Sequence, residues 1–463
     1  MVVGDTMYLI TSHDEDEIEG GFFTMKNWNC YSSTDMVNWT DHGTIFGQTS
    51  FEWGHISDFR AWAPQCVERG GKFYLYVPLL RKGANDEAGS PGYGIGVAVA
   101  DNPAGPYEDA IGGPLIEGDW YDIDPTVFVD DDGQAYLYYG QNLKYVKLND
   151  DMISYDKSIG DKGKVSVSVP NYVEGPWLTK HNNIYYFMYA GTDEGASSTH
   201  QAYETLRYAY SDSPEGPWTY GGILMETTVG HSYTNHPGVA DFKGHSYLFY
   251  HTDQLKDGGG YHRSVCVSEF TYNSDGTIDL VPMVDSVDPI GTLNPYKRVE
   301  AETICYADGT DEKKLNVKTE LVGTDDLRVT HLNEGDYIKI REVDFGSAGA
   351  VKFSASVAAA QSGGSFDICL DSIDGDIIGT LDVPQTGEDV FKVVDIDVKK
   401  TTGIHDLYFA FHTANDDDMF KFDYWQFTEE VTVTPSPSPQ PPVATVQPPA
   451  QTPQPQPPVT DVK

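Results

Sequence analysis

Apolar and polar residues alternate in a short phrase that recurs along the first 250 residues of the chain. Each copy is a turn rich in Gly, Asn or Asp followed by an alternating run, as in "VVGDTMYLI" and "VDDDGQAYLYY". The runs center on Tyr8, Tyr74, Tyr136, Tyr185 and Tyr247. Period-two alternation bounded by turn residues predicts β-strands, and its return every 49 to 66 residues predicts a repeated unit of several strands.

A second phrase lies between copies of the first, most clearly in "GIGVAVADNPAGPYED" and "LRYAYSDSPEGPWTYGG". Units of several short strands that repeat near 60 residues are typical of blades arranged around an axis. We therefore predict a five-bladed β-propeller over residues 1–293. A pair of β-sandwiches is the alternative, but it does not explain why the phrase recurs in register.

The pattern changes after residue 293. Alternating runs such as "EGDYIKI" and "VKFSASVAA" predict a β-sandwich over residues 296–428. From residue 431 to 463 the chain is rich in Pro, Thr and Gln and has no aromatic residue, which predicts a disordered polyproline linker. The predicted fold class is all-β, and we expect a further module to have followed the linker.

Composition narrows the function classes. The formal net charge of -41 excludes nucleic acid and anionic membrane surfaces as partners. Aromatic residues make up 13% of the chain, more than a core requires, and such rings commonly stack on sugars. The five cysteines have neither CxxC nor zinc spacing and are interpreted as isolated thiols. No leader or membrane-spanning segment is recognisable, so the protein is either cytosolic or secreted with its leader missing, and the linker favours a secreted or cell-surface protein.

Candidate catalytic residues follow from the spacing of the repeat. Four copies carry a proline nine to eleven residues before the tyrosine, namely Pro64, Pro125, Pro176 and Pro237. Since the innermost strand of each blade starts near the channel, the residues just ahead of these prolines should converge: Trp62, Asp124, Glu174 and His236. Two carboxylates at a polar axis are the groups that glycoside hydrolysis uses. The same spacing places the proline of the first blade just ahead of Met1, so we expect that blade's acidic residue to precede this sequence.

These motifs resemble glycoside hydrolase family 43. "RAWAPQ", "YDIDPTVFVDDDGQAYLYYG", "VEGPWLTKHNNIYYFMYAG" and "TNHPG" match, in order, the family's Trp-containing, second acidic, general-acid and axial-His motifs. The resemblance implies inverting catalysis, with Glu174 as general acid and Asp124 as the carboxylate that raises its pKa. It implies that the general base is an Asp upstream of Met1, so that the chain as printed is expected to be nearly inactive.

The same resemblance assigns substrate contacts. Trp62 and Arg263, the latter in "YHRSVCV", are expected to contact the sugar, and His236 to contact it and to hold an ion or water at the axis. A structural ion pair is the other interpretation of Arg263. Asp14 and Asp16 in "SHDEDE" are interpreted as substrate-facing or loop acids rather than replacements for the base.

The sandwich resembles the jelly-roll carbohydrate-binding module of family 6. "EAE" and the Asp of "FDYWQF" match a calcium-holding site there, which implies Glu300, Glu302 and Asp423 as ligands. Calcium is the predicted cofactor in this module and, as a second option, at the axis. The alternative is that the three acids are simply solvated side chains of a very acidic protein. The module either binds polysaccharide or only stabilises the propeller.

The sequence thus favours a hemicellulose-degrading enzyme that removes α-L-arabinofuranosyl branches from arabinoxylan. A β-1,4-xylosidase of the same family is the first alternative. A non-catalytic arabinoxylan-binding protein, in which the missing base is genuine, is the second, and a structural propeller for protein contacts is the third.

Overall fold

A computed structural model describes residues 1–55, 57, 59–84, 90–193, 204–226, 232–311, 315–322, 326–361, 364–413, 420–430, 450 and 452–456. Within these residues the secondary structure is β-strand apart from one 3-10 turn at Gln48–Ser50, and no α-helix is present. No helix in this part of the chain is long and apolar enough to cross a membrane. Most of the predicted linker at 431–463 lies outside the described residues.

Twenty strands form in the described residues before residue 271. In chain order they are β1 (Val2–Val3), β2 (Thr6–Asp14), β3 (Met25–Ser33), β4 (Trp39–Gly47), β5 (Gln65–Arg69), β6 (Lys72–Leu80), β7 (Tyr93–Ala100), β8 (Glu108–Asp109), β9 (Ile116–Glu117), β10 (Thr126–Val129), β11 (Ala135–Tyr139), β12 (Lys144–Leu148), β13 (Val165–Ser166), β14 (Tyr172–His181), β15 (Ile184–Gly191), β16 (Thr205–Ser211), β17 (Thr219–Met225), β18 (Gly238–Phe242), β19 (His245–Thr252) and β20 (Ser264–Phe270).

Twelve more strands follow in the described part of the second half. They are β21 (Val299–Glu300), β22 (Thr303–Ile304), β23 (Tyr306–Asp308), β24 (Lys318–Leu321), β25 (Leu327–Thr330), β26 (Tyr337–Asp344), β27 (Ala350–Ala358), β28 (Gly364–Leu370), β29 (Asp376–Asp382), β30 (Lys392–Thr401), β31 (Ile404–Thr413) and β32 (Lys421–Glu429).

The first twenty strands form antiparallel sheets that follow one another along the chain. The sheet orders are β1-β2-β3-β4, β5-β6-β7-β8 with β9 on β7, β10-β11-β12-β13, β14-β15-β16-β17 and β18-β19-β20. The repeated phrase supplies the second strand of each sheet, namely β2, β6, β11, β15 and β19. The arrangement is propeller-like, as the recurrence of the phrase predicts.

The core of this region lies between successive sheets. One apolar cluster joins the first sheet to the second through Trp28 and Leu75, and others join the second to the third, the third to the fourth and the fourth to the fifth. A further cluster joins the fifth sheet back to the first through Met7 and Phe249. Because β11 is covered on both faces, all five of its residues are buried, which explains its nearly continuous apolar sequence.

The second half forms a sandwich, as predicted. One sheet has the order β24-β25-β32-β27-β30 with β21 on β32, and the other has the order β23-β26-β31-β28-β29. Their inner faces enclose a single cluster that includes Phe353, Phe366, Phe409 and Trp425, each 0% exposed. The short strand β22 leaves this sandwich and pairs with β4, the outer strand of the first propeller sheet.

Candidate active site

A pocket of about 640 Å³ opens where the first strands of the sheets begin. Its lining includes every residue that the sequence places at the axis, namely Trp62, Asp124, Glu174 and His236, together with Arg263 and Asp14. These residues are far apart in the chain, and each of the four axial ones lies at or just ahead of β5, β10, β14 or β18. The constant offset from the repeated tyrosine therefore becomes proximity in the fold.

The two central carboxylates are held by different neighbours. Glu174 lies in β14 where the register with β15 is irregular, and its Oε2 accepts a hydrogen bond from Gln141 Nε2 at 2.8 Å. Asp124 precedes β10 in a left-handed conformation with φ of 52° and is 6% exposed. Its Oδ2 accepts a hydrogen bond from the backbone N–H of Gly175 at 3.2 Å, so the residue after Glu174 links the two acids.

Both carboxyl groups hold their protons more tightly than usual. Desolvation raises the pKa of Glu174 to about 7, with a further rise from the charge of Asp124 and opposing effects from Gln141, His236 and Arg263. Desolvation raises the pKa of Asp124 to about 6, against the hydrogen bond from Gly175. A carboxylic acid that keeps its proton near neutral pH can donate it to a leaving oxygen.

Two histidines lie on the same pocket. Desolvation lowers the pKa of His236 to about 4, so this imidazole is neutral at neutral pH. Desolvation also lowers the pKa of His251, which shares the pocket lining. Both ring nitrogens of His251 are shielded from solvent and have no hydrogen-bond partner among the described residues. In a neutral imidazole one ring nitrogen accepts and the other donates, so the unpartnered His251 ring can bind a water or a sugar hydroxyl, and its acceptor nitrogen can bind a cation.

Arg263 lies in a closely packed ion pair. Its Nε donates to Asp14 Oδ2 at 2.9 Å and its Nη2 to Asp14 Oδ1 at 2.8 Å, while its backbone N–H donates to the same carboxylate. The guanidinium also lies 4.7 Å from the ring centroid of Phe23. Arg263 thus forms the structural ion pair that was its other interpretation, and it also lines the pocket. Its contact with sugar stays a prediction.

Aromatic rings form the wall beside Arg263. The Trp62 ring lies 5.5 Å from Tyr93, and its shielded Nε1 has no hydrogen-bond partner in the described part of the chain. Trp28, fully buried behind it, donates its Nε1 hydrogen to the Trp62 carbonyl at 2.8 Å. Phe22 is 40% exposed at the rim. An indole with a free donor beside exposed rings suits a sugar, which offers both apolar faces and hydroxyl acceptors.

Sequence reasoning missed Gln141 and Glu204. Glu204 is 6% exposed, and its Oε2 accepts the backbone N–H of Asn235 at 3.2 Å. Desolvation raises its pKa to about 8, helped by the charges of Glu174 and Asp124. The second repeated phrase carries Tyr93 at the position equivalent to Glu204, so the repeat gave no signal for a carboxylate there.

The expected calcium ligands of the sandwich lie among arginines. Arg298 binds Glu300 through two guanidinium nitrogens, at 2.8 Å to Oε1 and 2.7 Å to Oε2. Asp423 Oδ1 lies 3.3 Å from Arg328 Nε, and its Oδ2 accepts a hydrogen bond from Ser356. In the described ranges no group of three or more His, Cys, Asp or Glu side chains is placed to hold a metal.

One acid in this cluster has a different environment. Glu302 is 5% exposed, its Oε2 has no hydrogen-bond partner among the described residues, and desolvation raises its pKa to about 8. An unpartnered buried oxygen fits a cation, whereas the arginine pairs of Glu300 and Asp423 do not. Calcium in this module therefore stays a prediction.

Comparison with known families assigns both halves of the chain. The model of glycosyl hydrolases family 43 matches residues 1–278, and the model of the carbohydrate binding module (family 6) matches residues 300–429. Both resemblances that the motifs predicted are confirmed.

Similar proteins match most of the chain, across both halves. An arabinoxylan arabinofuranohydrolase of Bacillus subtilis (strain 168) is 32% identical, over 91% of this chain and 88% of that protein. An arabinoxylan arabinofuranohydrolase of Paenibacillus polymyxa is 33% identical, over 89% of this chain and 68% of that protein. A crystal structure of a family 43 arabinoxylan arabinofuranohydrolase from Bacillus subtilis in complex with cellotetraose has a TM-score of 0.78 at 31% identity, and the match covers 93% of this chain and 94% of that one.

Proposed function

Because the chain belongs to glycosyl hydrolases family 43, we propose that it removes α-L-arabinofuranosyl branches from arabinoxylan by hydrolysis with inversion. The observation that carries this proposal is the Asp124–Glu174 pair at the centre of the pocket. Both acids have raised pKa values, and Asp124 accepts a hydrogen bond from Gly175, the residue after Glu174 in β14. The arabinofuranohydrolase names of the Bacillus and Paenibacillus relatives support the substrate.

In this proposal Glu174 is the general acid. Since its pKa of about 7 leaves it largely protonated below neutral pH, it can protonate the oxygen of the leaving xylan chain. Asp124 raises that pKa through its negative charge and orients the turn through Gly175. An inverting enzyme needs a second carboxylate roughly 6.5–9.5 Å from the acid to activate water. The Asp proposed for this role is the one that the family resemblance implies ahead of Met1, because Asp14 is paired with Arg263.

Substrate positioning falls to the remaining pocket residues. Trp62 provides an apolar face and a free N–H, and Arg263 provides donors held in place by Asp14. His236 would accept a hydrogen bond from a sugar hydroxyl or hold a water or calcium ion at the axis. A calcium ion there would add a positive charge near Glu174. In this account the five sheets are five blades around the pocket.

The second half is proposed to act on the same polymer. A family 6 carbohydrate-binding module attached to a glycosidase holds the enzyme near its polysaccharide, which is consistent with a secreted or cell-surface location. If calcium binds there, Glu302 is the described acid best suited to it, because its buried oxygen has no other partner.

Release of free arabinose and xylose from arabinoxylan tests the proposal. The assay compares the printed chain with the same chain preceded by the Asp-Pro strand predicted ahead of Met1. Arabinose release by the extended form, and its loss by at least 100-fold in Glu174→Gln, is the expected result. Xylose as the main product would favour the xylosidase. Polymer binding without release of either sugar would favour the binding protein.

A further inference from the structure

One wall of the pocket is built from two segments that are distant in the chain. The first runs from the last residue of β2 to the start of β3 and covers residues 14–24. The second connects β19 to β20 and covers residues 253–263. The Asp14–Arg263 ion pair joins them at the pocket. The rings of Phe23 and Tyr261, 4.9 Å apart, join them again toward the rim.

The second segment is fixed to the sandwich module on its other side. Lys256 Nζ forms an ion pair with Asp308 and donates hydrogen bonds to the carbonyl oxygens of Gly309, at 3.0 Å, and Asp311. The Lys256 side chain is 23% exposed. An ammonium group has three hydrogens, so these three oxygens satisfy it completely. The acceptors lie at the last residue of β23 and in the three residues that follow it in the sandwich.

The first segment also contacts the module, but more weakly. Lys318 of β24 lies 3.3 Å from Asp16, and their side chains are 40% and 88% exposed. Exposed ion pairs of this kind contribute little to stability. The contact that can constrain the wall is therefore the one made by Lys256.

The chain between Lys256 and Arg263 is stiffened by its own hydrogen bonds. Gly258 donates its N–H to the Leu255 carbonyl at 2.9 Å, and Gly259 and His262 exchange backbone hydrogen bonds at 3.0 and 3.2 Å. The Gly260 carbonyl accepts the N–H of Tyr233 at 2.9 Å. Because the segment is short and held by these hydrogen bonds, fixing its position at Lys256 also restricts the position of Arg263.

We propose that Lys256 is a positioning residue through which the sandwich module holds Arg263 and Tyr261 in the pocket wall. The inference deepens the proposed function and rests on it, because it gives the module a role in the substrate pocket besides binding polymer. The module would thereby set the affinity for the substituted sugar while leaving the protonation step at Glu174 unchanged.

Hydrogen exchange in the free protein tests the positioning directly. Lys256→Met removes the ammonium group and keeps the length of the chain. Lys243→Met is the matched control, because Lys243 is 30% exposed, donates to the Thr34 carbonyl at 2.7 Å and pairs with Asp5, but does not border the pocket wall. We expect faster exchange in residues 12–24 and 257–264 for Lys256→Met only. Equal exchange in both variants would overturn the proposal.

Kinetics on arabinoxylan oligosaccharides provide the second measurement. Lys256→Met should raise KM by about three- to tenfold with kcat nearly unchanged. Lys256→Arg keeps a cationic donor, so its KM should stay close to that of the protein with Lys256. A loss of thermal stability without a change in KM would contradict the proposal, since that is what a purely structural lysine produces. These kinetics use the chain extended ahead of Met1. If that form releases no arabinose, the proposed function fails, while the exchange comparison still decides whether Lys256 positions the wall.

Discussion

At the scale of single residues, the chemistry depends on how Glu174 is solvated. Besides desolvation, its pKa responds to the negative charge of Asp124 and to the hydrogen bond that Gln141 donates to the carboxylate. The donor stabilises the carboxylate, and the charge destabilises it. Two substitutions should therefore move the pKa of Glu174 in opposite directions.

The alkaline limb of the pH profile measures this effect. Since the acid must be protonated, kcat/KM should fall as pH rises through about 7. Asp124→Asn should move that fall to lower pH, because the like charge is gone. Gln141→Met should move it to higher pH, because the carboxylate loses its donor. Because the two acids titrate as a pair, the apparent midpoints belong to the pair, and movement of both variants in one direction would contradict the account.

Glu204 gives a stability prediction. The pKa of Glu204 is about 8 in the folded protein, above its usual value of 4.5. The contribution of Glu204 to folding stability is therefore fully present at low pH and is lost as pH rises from about 4.5 toward 8. Glu204→Gln keeps an acceptor for Asn235 and removes the titration. We expect thermal midpoints within a degree of wild type at pH 5 and about 2–6 °C higher at pH 8. A variant less stable than wild type at pH 8 would show that the carboxyl group itself is required.

The axial residues were predictable from sequence, and their supporting residues were not. Asp124 and Glu174 have a fixed offset from a repeated tyrosine, so a pattern revealed them. Gln141 follows β11 and Glu204 precedes β16 without any counterpart in other sheets. Only the packing of neighbouring sheets brings them to the acids.

At the scale of elements, the start of β14 must allow an unusual backbone. Gly175 has φ of 63°, and a Cβ built on it would lie 3.2 Å from His236 Nδ1. The strand thus passes close to the imidazole while its N–H binds Asp124. Glycine is favoured here because a side chain would strain this backbone conformation, and a Cβ would push against the imidazole.

Comparing Gly175→Ala with Gly244→Ala separates the effect of backbone conformation from the effect of limited space. Gly244 has φ of 88° but nothing within 4 Å of a Cβ. Both variants should lose about 1 kcal/mol of stability from backbone strain, measured by urea unfolding. Only Gly175→Ala should also lower arabinose release, by roughly tenfold, because His236 and the Glu174 turn must shift. Equal activity in the two variants would mean that the turn tolerates displacement.

Strand prediction succeeded where alternation is local and failed where pairing is distant. The five copies of the phrase became the second strands of five sheets because each copy has its own turn and apolar run. The pairing of β22 with β4 was not foreseen, since two residues carry no periodicity and their partners lie about 260 residues earlier. Such contacts depend on how the two folded halves of the chain pack against each other.

At the scale of the whole molecule, the propeller-like half and the sandwich share an interface with defined bonds. Asn38 exchanges two hydrogen bonds of 2.8 Å with the backbone of Arg341. Cys305 packs against the cluster between the fifth and first sheets. Together with the β4–β22 pairing, these contacts predict that the halves unfold together.

Differential scanning calorimetry measures this coupling. The wild-type protein should show one cooperative transition, and Asn38→Ala should lower its midpoint or split it into two, because Arg341 loses both partners. Thr386, which bonds within the sandwich, offers a control in Thr386→Ala that should leave the coupling intact. Two well-separated transitions in the wild type would show that the interface contributes little.

The central claim is that the Asp124–Glu174 pair releases arabinose with inversion. Proton NMR of the first arabinose freed from a substituted xylo-oligosaccharide by the chain extended ahead of Met1 tests it most directly. Glu174→Gln is compared there with Glu269→Gln, a substitution of an exposed glutamate on β20. The account predicts the β-anomer first, no release by Glu174→Gln, and wild-type release by the control. The α-anomer appearing first, or undiminished release by Glu174→Gln, would contradict it.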